Sequence, residues 1–139
     1  MPYPGNLAEA PWWQSEQATT ASSATTTTEI VTDTITVPVV AGRTYEIKFF
    51  GNYNSTANGD EATANLRLTN TAGTRLDSTT VYLPASTRVY RGSLFGVFTA
   101  SSTGDQVFVT TVARANGSGN VTRYGSATAP SSLTVELKD

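Results

Sequence analysis

Five clusters of turn-forming residues punctuate this chain at short spacing: Asn58-Gly59-Asp60, Thr71-Ala72-Gly73, Pro84-Ala85-Ser86, Thr103-Gly104-Asp105 and Asn116-Gly117-Ser118-Gly119. Glycine, asparagine and aspartate tolerate backbone angles that other residues avoid, and proline presets one of them, so each cluster reverses the chain. The segments between are rich in β-branched and aromatic residues, which favour a pleated strand over a helix. Strands are therefore predicted over about 24–38, from Tyr45 to Phe50, and over about 61–70, 74–83, 87–99, 105–115, 120–128 and 132–138. The period of two is clearest at Tyr45, Ile47 and Phe49 against Glu46, Lys48 and Phe50, and at Leu133, Val135 and Leu137 against Thr134, Glu136 and Lys138. Pro38 marks the end of a strand or a place on a sheet edge. Gly92 and Gly96, inside the longest segment, predict a bulge or bend. About eight strands with no convincing helix predict an all-β fold, a two-sheet antiparallel sandwich of jelly-roll type, with a closed barrel as the competing architecture.

The text before residue 24 differs from the rest. Residues 1–23 hold Pro2, Pro4, Gly5 and Pro11, the pair Trp12-Trp13, and two charges, Glu9 and Glu16, without a hydrophobic period. Such a segment predicts an irregular N-terminal arm, with a short helical turn over residues 12–18 as its one candidate element, followed by the sandwich over residues 24–139. Two large aromatics on a polar arm have two destinations. They fold back onto the domain's own core edge, or they anchor the arm in a neighbouring subunit.

Composition narrows the chemistry. The chain of 139 residues has neither histidine nor cysteine, which removes thiolate and imidazole metal sites, the Ser-His-Asp and Cys-His machineries, haem ligation and disulfides. Its net charge of −2 gives no overall attraction to nucleic acid or anionic lipid. No apolar run approaches the roughly 20 residues of a membrane span or the core of a signal peptide, so a soluble chain without an export address is expected. Thr and Ser number 25 and 13 while charged residues make up 14 %. The surface is thus expected to be hydroxyl-rich rather than ionic.

Few side chains remain that could form a site. Asp60-Glu61 reads as a solvated turn, because neighbouring strand residues point to opposite faces and cannot act as one acid/base dyad; as a calcium loop it lacks spaced acids. Arginines outnumber lysines seven to two, and residues 1–36 carry acid without base, so an acidic front meeting an Arg-bearing neighbour would make a complementary contact. The interface candidates are Trp12, Trp13, Tyr3, Glu9, Glu16, Arg88 and Arg91. Tyr53 and Tyr124 with Asn52 and Asn54 supply flat rings beside amides, the materials of a carbohydrate site. No catalytic, metal-binding or cofactor-binding residue is singled out.

Two stretches resemble a known family. Ala24-Thr25-Thr26-Thr27-Thr28-Glu29, followed by Ile35-Thr36-Val37-Pro38-Val39-Val40-Ala41-Gly42-Arg43-Thr44-Tyr45-Glu46-Ile47, resembles the opening of small β-sandwich domains in virion proteins of actinobacterial tailed phages. Ser126-Ala127-Thr128-Ala129-Pro130 with Leu133-Thr134-Val135-Glu136 resembles their close. The resemblance implies a non-enzymatic minor tail, fibre or head decoration protein, made in the host cytoplasm and located in the virion. Its partners would be the major capsid or tail protein and further copies of itself, a trimer being a natural closed form although nothing in the residues fixes the number three. The alternative is a carbohydrate-binding module that serves host-surface adsorption.

Overall fold

The computed structural model describes residues 12–139, and every regular element among them is a β-strand. In chain order these are β1 (Trp13–Ala18), β2 (Ile30–Val39), β3 (Thr44–Ser55), β4 (Asp60–Leu68), β5 (Arg75–Leu83), β6 (Tyr90–Thr99), β7 (Gly104–Asn116), β8 (Val121–Tyr124) and β9 (Ser131–Leu137). They pair antiparallel in two sheets, one ordered β1-β9-β3-β6 with β8 beside the end of β3, the other ordered β2-β7-β4-β5. Strands early and late in the chain thus lie side by side in each sheet, and the chain changes sheet at each step from β1 to β4 and from β5 to β7 in the jelly-roll manner, with β4 and β5 paired as a hairpin within one sheet. The sandwich architecture predicted from the turns and the alternation is the one observed.

Alternation explains which residues meet between the sheets. In β3, Tyr45, Ile47, Phe49 and Tyr53 are fully buried, while Glu46, Lys48, Phe50, Asn52 and Asn54 line the outward face. Leu133, Val135 and Leu137 of β9, Ile35, Val37 and Val39 of β2, and Ala62, Ala64 and Leu66 of β4 complete the same core. Pro38 sits in β2, an edge strand of its sheet, where its missing N–H costs no ladder hydrogen bond.

The start of the chain departs from expectation. Within the irregular arm predicted to residue 23, Trp13–Ala18 form the first strand of the jelly roll, residues 19–23 are irregular as expected, and no helical turn forms over 12–18. β1 pairs along its whole length with β9, from Trp13 opposite Glu136 to Ala18 opposite Ser131. Successive residues of an extended chain face opposite sides, so the two tryptophans part company. Trp12 turns inward, 7 % exposed, and packs edge-on against Tyr45 with ring centroids 6.2 Å apart. Trp13 turns outward and is 63 % exposed. Of the two destinations open to this pair, Trp12 takes the chain's own core.

Gly92 and Gly96 also have a different reason from the predicted bulge, since β6 runs opposite β3 without a register shift. A methyl group at Gly92 would lie 2.9 Å from Tyr53 and Val81, and one at Gly96 2.9 Å from Leu66 and Leu76. These positions are small because side chains from the facing sheet occupy the space. Truncation of Trp12 to alanine is expected to lower unfolding free energy by about 3–5 kcal/mol, as for other buried large aromatics, whereas Trp13→Ala should change it by less than about 0.5 kcal/mol. Urea denaturation of the two variants separates them; equal effects would contradict the inward-outward split.

Candidate functional site

Three of the chain's carboxylates are withdrawn from solvent, and each is surrounded by donors. Inside the sandwich, Arg123 Nε of β8 lies 3.1 Å from Asp33 Oδ2 of β2. Ser131 donates to Asp33 Oδ1 at 2.9 Å and Thr110 to Oδ2 at 2.7 Å, while Arg123 Nη1 donates to the Thr20 carbonyl at 2.7 Å. Glu29, just before β2, accepts a bidentate pair from Arg67 (Nε–Oε2 2.6 Å, Nη2–Oε1 3.1 Å) and further hydrogen bonds from Thr111 and Asn65. Burial pushes its carboxyl up, but these donors and the guanidinium charge outweigh it, so Glu29 stays below its usual range. Asp60, expected in a solvated turn, is instead buried and accepts from the Ser55 hydroxyl and, at 3.0 Å each, from the Ser118 and Gly119 amides. The Ser55 hydrogen bond is the largest influence; with the two amides and nearby Arg114 it holds Asp60 below the ordinary carboxylate value against its burial. Gly117 leaves room for this clamp: its φ of +107° and the Asp60 oxygen where a Cβ would go both demand glycine.

These three groups therefore fasten loops and strands. The acidic front finds its arginines in cis at Glu29–Arg67 and Asp33–Arg123, where a contact with a neighbouring chain had been expected. Among the described residues no group of three acids is placed to hold a metal ion.

Of the exposed large apolar side chains among the described residues, Trp13, Phe50, Phe95 and Val97 lie on the outward face of the β1-β9-β3-β6 sheet. The register sets the side chains of this face in rows across the strands: Trp13, Glu136, Glu46 and Val97; then Ser15, Thr134, Lys48 and Phe95; then Gln17, Ser132, Phe50 and Ser93; then Tyr124, Asn52 and Arg91. Phe50, Phe95 and Val97 are each nearly half exposed, and Phe50 and Phe95 border a hollow of about 380 Å³ that also touches Lys48 and Asp77. The alternation already sets Phe50 on the outward phase of β3, opposite in phase to buried Tyr45, Ile47 and Phe49, but does not single it out as part of a site; in β6 the letters read as a core, and only pairing tells which phase faces out.

A second hollow, about 520 Å³, lies beyond the end of this face, between Asn54 of β3, Tyr124 of β8, Tyr90 of β6 and the turn Ser86-Thr87-Arg88. It brings together Arg88 from the interface candidates with Asn54 and Tyr124 from the carbohydrate candidates. Tyr53 does not join them. It is fully buried, its hydroxyl has no hydrogen-bond partner among the described residues, and burial raises its pKa far above the usual tyrosine value. It is thereby excluded from any carbohydrate contact. Asn52 and Arg91 share the row beside the hollow, and Glu16 is exposed on β1. Tyr3 and Glu9 lie outside the described residues.

No family model matches the chain, and no curated protein matches its sequence. Solved structures do resemble it. The VP2 subviral particle of infectious bursal disease virus overlays with a TM-score of 0.53 at 13 % identity, covering 94 % of this chain and 37 % of that one. The Gx strain of the same virus gives 0.53 at 12 % identity over 93 % and 36 %. A CBM4 structure covers 79 % of this chain and 70 % of its own at 14 % identity, but its TM-score of 0.40 is too loose to support a conclusion. The chain thus spans little more than a third of the viral chains, and what it shares with them is the jelly-roll sandwich.

The clamps make stability depend on pH. Glu29 and Asp60 have folded-state pKa values below their ordinary 4.5 and 3.8, so the unfolded chain binds these protons more readily. Their stabilisation is complete above those ordinary values and is lost as pH falls through the lower folded-state ones. Urea midpoints should hold between neutrality and about pH 5 and then fall steeply, and Asp60→Asn should start lower and show a shallower acid limb. A wild-type acid limb no steeper than that of the Asn variant would remove Asp60 as a contributor.

Proposed function

We propose that this chain is a non-enzymatic structural protein of a tailed-phage virion, a capsid decoration or tail-associated protein that docks through subunit contacts. The observation that carries this reading is the exposed apolar cluster Phe50, Phe95 and Val97 on an outward sheet face, while the withdrawn acids Glu29, Asp33 and Asp60 are engaged in holding the fold. Exposed aromatics on neighbouring strands of a rigid sheet are what an interface core requires, and the surrounding Lys48, Glu46 and Asp77 supply a polar rim.

Two further points support it. The stretches that resemble phage virion domains fall on β2, the turn into β3, and β9; β3 and β9 belong to the sheet that bears this face, and β2 to the sheet behind it. The jelly roll shared with VP2 of infectious bursal disease virus is an architecture that forms the wall of particles. The occupant of the face is another virion subunit, either the major capsid or tail protein or a second copy of this chain, and Trp13 extends the contact along β1 in place of the wholly irregular arm first expected.

The test is attachment of purified chain to virions or shells that lack it, measured by co-sedimentation, with light scattering to read self-association. Phe50→Ser combined with Phe95→Ser should weaken attachment or self-association by about a hundredfold or more, since central aromatic anchors carry about 2 kcal/mol each, while leaving the melting temperature unchanged because both rings are solvent-facing. Wild-type attachment and assembly by the double variant would overturn the reading.

A further inference from the structure

The hollow between Asn54, Ser86, Thr87, Arg88, Tyr90 and Tyr124 differs from the polar clusters around Glu29, Asp33 and Asp60. At Glu29 and Asp33 the polar side chains are bonded to one another, and Asp60 is bonded to the Ser55 hydroxyl and two backbone amides. Here six side chains able to hydrogen-bond converge on one cavity, and none is bonded to another described residue through its side chain. They are not loose. Asn54 and Tyr124 stand on paired strands, with Asn54 opposite Thr122 and Tyr124 opposite Asn52, and Tyr90 is in register with buried Tyr53. The turn bearing Arg88 is fixed at both ends, by the Ser86 amide donating to Asn58 Oδ1 at 2.7 Å and the Arg88 amide donating to the Ala85 carbonyl at 3.2 Å. Such polar groups, held in place and unspent on the fold, are the arrangement of a preorganised binding site.

The residue types define the ligand. Two tyrosine rings offer flat apolar surface, an amide and two aliphatic hydroxyls offer donors and acceptors at close spacing, and Arg88 offers a planar cation with no carboxylate among the cavity's lining residues. A ligand that satisfies all of these has ring C–H faces, many hydroxyls and one carboxylate. We infer that this hollow binds an acidic saccharide, a pyranose unit bearing a carboxylate that pairs with Arg88, its ring lying against Tyr124 and Tyr90 and its hydroxyls meeting Asn54 and the Ser86-Thr87 pair. The cavity of about 520 Å³ is within the range of small-molecule sites and has room for one or two sugar units. The site gives the chain a surface-recognition activity besides attachment, and it lies apart from Phe50 and Phe95, four or more residues further along β3, or about 13 Å.

The experiment is saturation-transfer NMR and calorimetry on the full chain with two sets of oligosaccharides, one ending in glucuronic, galacturonic or N-acetylneuraminic acid, the other in glucose, galactose or N-acetylglucosamine. Members of the acidic set are expected to bind at least about tenfold more tightly than their neutral counterparts, and Arg88→Ala should erase that difference. Tyr124→Ala and Asn54→Ala should weaken both sets, and all three variants should melt as wild type does because their side chains carry no bond in the fold. The inference is overturned if no saccharide binds at millimolar concentration, if Arg88→Ala leaves the acidic preference intact, or if a short glutamate-bearing peptide competes as well as the sugars. The Phe50/Phe95 double variant should keep saccharide binding while losing attachment, so failure of either proposal is seen separately.

Discussion

Asp33 and Arg123 lie inside the sandwich, and bringing two charges there is costly unless the surrounding groups replace the water they lose. The way this chain meets that cost determines much of its architecture. Asp33 belongs to β2 in one sheet; Arg123 belongs to β8 and Ser131 to β9, on the other; Thr110 comes from β7, and the Thr20 carbonyl from the segment that follows β1. A pair with these partners ties both sheets to the crossover between the first two strands. It also gives β8 a purpose, because this short strand beside β3 is what carries Arg123 inward. Remove the guanidinium and a buried carboxylate is left with hydroxyls alone.

The hydroxyl-rich composition acquires a physical meaning in this setting. Thr110 and Ser131 around Asp33, Thr111 at Glu29 and Ser55 at Asp60 are small donors that fit between strands where a lysine or arginine would not. Threonine does this while keeping the β-branched shape that suits a strand. A chain with few charges can therefore bury three of its acids and still satisfy each one. The same choice leaves the outer surfaces rich in hydroxyls, and the half-exposed Phe50 and Phe95 contrast sharply with the polar and charged side chains that surround them.

Most strands were legible because a period of two survives in the letters wherever one face is apolar, as at Tyr45-Ile47-Phe49 and Leu133-Val135-Leu137. β1 was not, since Trp-Gln-Ser-Glu-Gln-Ala contains no β-branched residue and becomes a strand through its pairing with β9 and the burial of neighbouring Trp12. That is a tertiary cause, invisible to local propensity. Asp60 was misread for a related reason. Its turn-like neighbours are real, but the loop 117–119 that closes over it comes from nearly 60 residues away. For the candidate sites, residue type pointed to Asn54, Tyr124 and Arg88, whereas the exclusion of Tyr53 and the grouping of the other three depended on strand register.

The edges of the two sheets constrain how any partner can approach. A sandwich offers unpaired backbone along its outer strands, and strand addition there is the simplest route to assembly. Here those edges are bridged by side chains. Asp77 accepts the Phe95 amide of edge strand β6 at 2.8 Å, and Gln14 of edge strand β1 donates to the Thr36 carbonyl of edge strand β2 at 2.8 Å. Each bridge engages a main-chain group that a foreign strand would need and joins one sheet to the other. The faces, where specificity comes from shape and residue type, are thereby more open to a partner than these two edge positions. The Asp77 bridge fixes the backbone of Phe95 itself, so the contact that blocks the edge also holds an aromatic of the exposed face in position.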